Sequence, residues 1–73
     1  MKITFDKEID TAYIYLKEEI KPGEAIKNMQ VEDNIILDFD INGKLLGIEI
    51  LNVSTKMPQD FLSNLNINNL VTN

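Results

Sequence analysis

The chain predicts a small α+β domain, a mostly antiparallel sheet of four to five strands followed by a short C-terminal helix. Three observations carry this expectation. Several short stretches alternate apolar and polar side chains, which is the period of a half-buried strand. Asn42-Gly43 separates two such stretches inside Asn34 to Asn52, the signature of a tight hairpin turn. Beyond Asn52 the spacing becomes helical, with Phe61, Leu62 and Leu65 on one face behind Pro58, a residue suited to a first helical turn.

Taken in order, Lys2 to Asp6 sets Ile3 and Phe5 against Lys2, Thr4 and Asp6 and reads as a strand. Asp6 to Asp10 is polar and turn-prone. Ala12 to Leu16 then resumes the alternation, so two antiparallel strands joined by a short turn are the simplest account. Lys17 to Gly23 gathers charge and ends on Pro22-Gly23, a loop signal. Glu24 to Val31 reads as a third, edge-like strand, closed by a turn at Glu32-Asp33-Asn34.

Asn34 to Asn52 completes a meander as a hairpin whose register can be argued. A two-residue loop at Asn42-Gly43 sets Phe39 opposite Leu46, Leu37 opposite Ile48 and Ile35 opposite Ile50, which gathers the large apolar side chains on one face. A four-residue loop from Ile41 to Lys44 keeps the same parity. The helix is expected from Pro58 to about Leu65, and Asn66 to Asn73 extends it or frays. All 73 residues form one domain, with a core over 2–53 and a helix and tail over 54–73.

A chain this short lies near the size at which one apolar core outweighs chain entropy. It has no Cys and no His, so disulfides and a closed zinc site are not available as staples, and oligomerisation is the remaining common remedy. Net charge is −5, and its seven basic residues are all Lys, scattered without a run. That argues against nucleic acid, whose phosphates call for clustered positive charge and usually Arg. Asp6 and Glu8 interrupt any leader-like apolar run, and no apolar stretch approaches the roughly 18 residues of a membrane span. A cytoplasmic protein is expected, with no membrane partner and no cofactor.

Asp38, Asp40, Asn42, Gly43 and Glu49 fall on the spacing of an EF-hand calcium loop. Such a loop curls between two helices, whereas the flanks here alternate as strands, which keeps Asp38 and Asp40 about 7 Å apart along one strand. The hairpin reading is therefore preferred. The same three carboxylates, Asp38, Asp40 and Glu49, are the candidates for a divalent metal or for acid/base chemistry, but the chain has no His, Cys or Arg to complete such a site. Ser54 and Thr55 offer hydroxyls without an evident base.

Tyr13 and Tyr15 share one side of their strand; without flanking positive charge, aromatic cross-strand packing is a better account than a nucleic-acid platform. Gly43 supplies positive φ in the turn, and Gly47, opposite Asp38, leaves space on the carboxylate face. Ile36, Leu45 and Leu51 emerge on that face as well. One short helix cannot cover both sides of the sheet, so Ile36, Leu45 and Leu51, or the Phe61, Leu62 and Leu65 face of the helix, are candidates for an interface with a second copy or a partner protein.

The run Ile3-Thr4-Phe5-Asp6 with Glu8 and Asp10, then Tyr13-Ile14-x-Leu16, then Ile36-Leu37-Asp38-Phe39-Asp40 with Gly43, and finally Gly47-Ile48-Glu49-Ile50-Leu51, resembles the small prokaryotic proteins catalogued as domain of unknown function 2283. The likeness covers about Lys2 to Val53. It implies a compact β-rich fold and carries over no activity, cofactor or substrate to any residue. The expectation is a non-enzymatic protein-interaction module that self-associates, as a homodimer, or binds a partner protein; the alternative is a small carboxylate- or metal-dependent enzyme using Asp38, Asp40 and Glu49.

Overall fold

The computed structural model describes residues 1–67 and 71–72, with side chains described as far as Leu65. Five antiparallel strands form one sheet: β1 (Lys2–Asp6), β2 (Thr11–Tyr15), β3 (Lys27–Glu32), β4 (Ile35–Phe39) and β5 (Leu45–Leu51). Two short helices follow, α1 (Val53–Lys56) and α2 (Gln59–Ile67), and the two-residue β6 (Val71–Thr72) pairs parallel to β1. The strand order is β3-β4-β5-β2-β1-β6. The β3-β4-β5 meander is therefore continued by the β1-β2 hairpin on the free side of β5. Among the described residues no helix is long and apolar enough to cross a membrane.

The expected register of the central hairpin holds over most of its length, with Ile35 opposite Ile50, Leu37 opposite Ile48 and Asp38 opposite Gly47. Its tip differs from both expected loops. Asp40 N donates to Lys44 O at 2.9 Å and Gly43 N to Asp40 O at 3.0 Å, which leaves a three-residue loop with Gly43 at φ +79°. A left-handed glycine closing such a turn shifts the pairing by one, so Phe39 faces Leu45. A bulge at Leu46 then restores the parity, and Leu46 is turned inward at 4% exposure.

The helical segment is also more articulated than its spacing implies. Residues 53–56 are too few to show a period, and α1 exists because of a contact 44 residues away in sequence. Asp10, at φ +53°, accepts through its carbonyl from Val53 N at 3.0 Å, and its carboxylate accepts from Ser54 N and from Ser54 Oγ, the latter at 2.6 Å. Pro58 stands just before α2, its carbonyl accepting from Leu62 N at 3.1 Å. The tail expectation for Asn66 to Asn73 falls partly on Asn68 to Leu70 and Asn73, which lie outside the described residues; β6 is the element it did not foresee.

Ala12, Ile50, Val53 and Leu65 make the buried centre, with Ile3, Phe5, Ile14, Ile48, Met57, Phe61 and Leu62 packed around it. These residues come from β1, β2, β5, the two helices and, for Met57, the link between them. The helices thus cover three strands of one sheet face, while Leu37 and Phe39 of β4 remain half-buried and β3 is exposed at every residue.

Candidate functional site

The face opposite the helices is organised around Gly47. By register, Tyr15 of β2 and Asp38 of β4 are both opposite Gly47, one on each side of β5, and Tyr13 is opposite Glu49. Gly47 has no side chain, so the Tyr13 ring lies down across its backbone: a Cβ placed on Gly47 would stand 2.3 Å from Tyr13 Oη and 2.6 Å from Cε2. The hydroxyl passes over β5 and donates to Asp38 Oδ2 at 2.7 Å, linking β2 to β4 across the strand between them. Burial first, then this hydrogen bond and the charge of Asp38, push the Tyr13 phenol above the ordinary tyrosine value.

Tyr15 packs edge-on against Tyr13, centroids 4.7 Å apart and planes at 69°. Lys2, its neighbour on β1, sets Nζ 4.4 Å from the Tyr15 ring centroid. The chain leaving β2 must reach β3 at the same end of the sheet, so residues 16–26 cross this end. Two contacts brace the crossing: Glu24 N donates to Lys21 O at 3.0 Å around Pro22-Gly23, with Gly23 at φ +83°, and Lys17 pairs with Glu24. Lys17 and the Lys21 amide together hold the Glu24 carboxyl below its ordinary value. Ile20 and Ala25 of the crossing, with Tyr13, Tyr15 and Asp38, enclose an open hollow of about 240 Å³.

Residues 2–54 match the family described as protein of unknown function, DUF2283. That match spans every strand from β1 to β5, including Tyr13, Asp38 and Gly47. The chain belongs to the DUF2283 family. It is also similar to an uncharacterized protein of Methanocaldococcus jannaschii, 43% identical over 54 residues, which is 74% of this chain and 42% of that relative. The chain therefore spans less than half the length of the curated relative it matches. No solved structure matches it.

In this DUF2283 chain the three candidate carboxylates have separate surroundings. Asp38 accepts from Tyr13. Asp40 turns back on the hairpin tip, its Oδ1 accepting from Asn42 N and Lys44 N, each at 2.9 Å. Glu49 lies diagonal to Asp38, opposite Ile36 and Tyr13. Both flanks of the EF-like spacing are strands, β4 and β5. Among the described residues no group of three or more carboxylate, His or Cys side chains is placed to hold a metal ion.

The candidate interface residues divide similarly. Leu65 is 5% exposed and lies in the centre of the core, with Phe61 and Leu62 packed against it, so this helix face already has an occupant within the chain. Ile36 and Leu51 are half-buried, and Leu45 is exposed beside the bulge. Ser54 Oγ donates to the Asp10 carboxylate at the start of α1. The Tyr13-to-Asp38 link was not derivable from the pattern alone. Its signal was the glycine opposite Asp38, and what remained hidden was that β2 lies beside β5.

Proposed function

We propose that the chain is a non-catalytic protein-interaction module that self-associates edge to edge through β3. The observation supporting this is that β3 is the uncovered edge of the sheet and is exposed along its whole length, with Met29 and Val31 at 44% and 45% exposure. An unpaired edge offers a row of backbone donors and acceptors to another strand. The other edge is the two-residue β6 beside β1, and pairing of β3 with its own copy about a two-fold axis closes at two copies.

Charge favours a second copy as occupant. Antiparallel pairing of two β3 strands brings the Lys27 end of one toward the Glu32 end of the other, although each chain carries −5 overall.

Sedimentation equilibrium tests the proposal. The wild-type chain is expected to be dimeric at hundreds of micromolar, and Met29→Glu, which places two carboxylates near the axis of the pair, is expected to be a folded monomer. A wild-type chain that stays monomeric at that concentration would remove the proposal.

A further inference from the structure

We infer that the hollow between Tyr13, Tyr15, Ile20, Ala25 and Asp38 is a binding site for a small alkylammonium group. This goes beyond self-association and concerns a different surface of the sheet. The walls supply what such a cation needs. Two tyrosine rings at 69° to each other present π surface and edge, Ile20 and Ala25 present apolar surface for alkyl substituents, and Asp38 presents a carboxylate.

Asp38 is suited to this role because Tyr13 holds one oxygen only. With Oδ2 accepting from Tyr13, Oδ1 has no partner among the described residues and can face a cation. No lysine lines the hollow, so no side chain of its own neutralises the carboxylate there. The chain also carries an internal example of the interaction. The Lys2 ammonium already lies over the Tyr15 ring at 4.4 Å, from the β1 side, whereas the hollow opens on the side of β4 and the 16–26 crossing. A hydrated metal ion is a poor match, since a single carboxylate and aromatic faces do not replace its oxygen shell. An ammonium with an alkyl body uses every wall, and the acidic surface raises its local concentration.

The intrinsic fluorescence of the chain reports on this site directly, because it has no Trp and its two Tyr residues both line the hollow. Tetramethylammonium chloride is the probe, with sodium chloride at matched ionic strength and neopentyl alcohol, a water-soluble neutral analogue of similar shape, as controls. A saturable change in tyrosine emission is expected with tetramethylammonium alone. Asp38→Asn is expected to weaken it by about fivefold or more. Ala25→Lys leaves Tyr13 and Asp38 in place and should abolish binding by filling the hollow with the chain's own ammonium; circular dichroism confirms that each variant is folded. No saturable response, an equal response to neopentyl alcohol, or wild-type binding by both variants would each overturn the assignment. Repeating the titration on Met29→Glu separates this outcome from that of self-association.

Discussion

Replacing Gly47 with Ala reverses the ordinary expectation for a strand. A glycine in a strand interior is normally less stable than alanine by about 0.5–1 kcal/mol, so the change taken alone should help. Here the new Cβ meets Tyr13 Oη, Cζ and Cε2 at 2.3–2.6 Å, distances no real Cβ tolerates. The ring has to lift, and its hydrogen bond to the ionised Asp38 goes with it. A bond to a charged group contributes about 1.5–3 kcal/mol. Subtracting the alanine gain leaves a net loss of about 1–2 kcal/mol. Urea unfolding followed by far-ultraviolet circular dichroism measures it as a midpoint about 1 M or more lower, for a slope of about 1 kcal/mol/M. The decisive control is the same substitution in Tyr13→Ala, where nothing obstructs the methyl group and Gly47→Ala should be neutral or stabilising. A raised midpoint in the wild-type background, or an equal loss in both backgrounds, would refute the account of Tyr13 lying over Gly47.

The Tyr13 phenol should titrate above the ordinary tyrosine value of 10.0, and Asp38→Asn should bring it down, as read by phenolate absorbance. Because the folded value is the raised one, the associated stability is complete below about pH 10 and declines as pH rises toward the folded value; a stability constant across that range would contradict it. Gly43→Val should cost more than the ~1 kcal/mol of a typical substitution, since a β-branched residue is forced to φ +79°, and an unchanged urea midpoint would count against the turn. Asp10→Ala should cost about 1–2 kcal/mol by removing the cap on α1, while Asp10→Asn, which keeps an acceptor and tolerates positive φ, should cost clearly less; equal losses would show that the carboxylate itself is required.

The hairpin and the first two strands were legible because parity is a strong constraint. Only one register places Ile35 and Leu37 against Ile50 and Ile48, and the structure adopts it from Ile35 to Asp38. The tip was not legible, since Asn42-Gly43 suits a two-residue loop as well as the observed three-residue one, and the choice depends on Asp40 bonding to Asn42 and Lys44. The neighbour of β2 was hidden for a different reason. Ala12, Ile14, Ile48 and Ile50 alternate alike, and alternation says which face a residue takes but not which strand stands beside it. Helix α1 left no pattern, because Val53 and Thr55 are β-branched and its cap comes from Asp10. Parity put Asp38, Gly47 and Glu49 on one face, as the register has them, whereas Asp40 turns back on the hairpin tip and the residue that fills the space at Gly47 followed only from the strand order.

These placements assign different roles to the two ends of the sheet. At the middle of β5 both faces are covered from within: the helices pack on one, and on the other Tyr13 lies over Gly47 beside the crossing of residues 16–26. A macromolecule approaching that face would meet a surface already braced, with room only for a small group in the hollow. At β3, and on the helix side of β4, neither cover is present. Leu37 and Phe39 lie outside the helix-packed core, and β3 has a neighbour on one side only. A chain with so few fully buried side chains gains most where apolar surface and unpaired backbone coincide, and that coincidence occurs at β3. Partner and small ligand should therefore bind independently. The measurable consequence is that tetramethylammonium affinity is the same in wild type and in Met29→Glu, whereas coupling between the two would mean that pairing at β3 reshapes Asp38 through its neighbour Asn28.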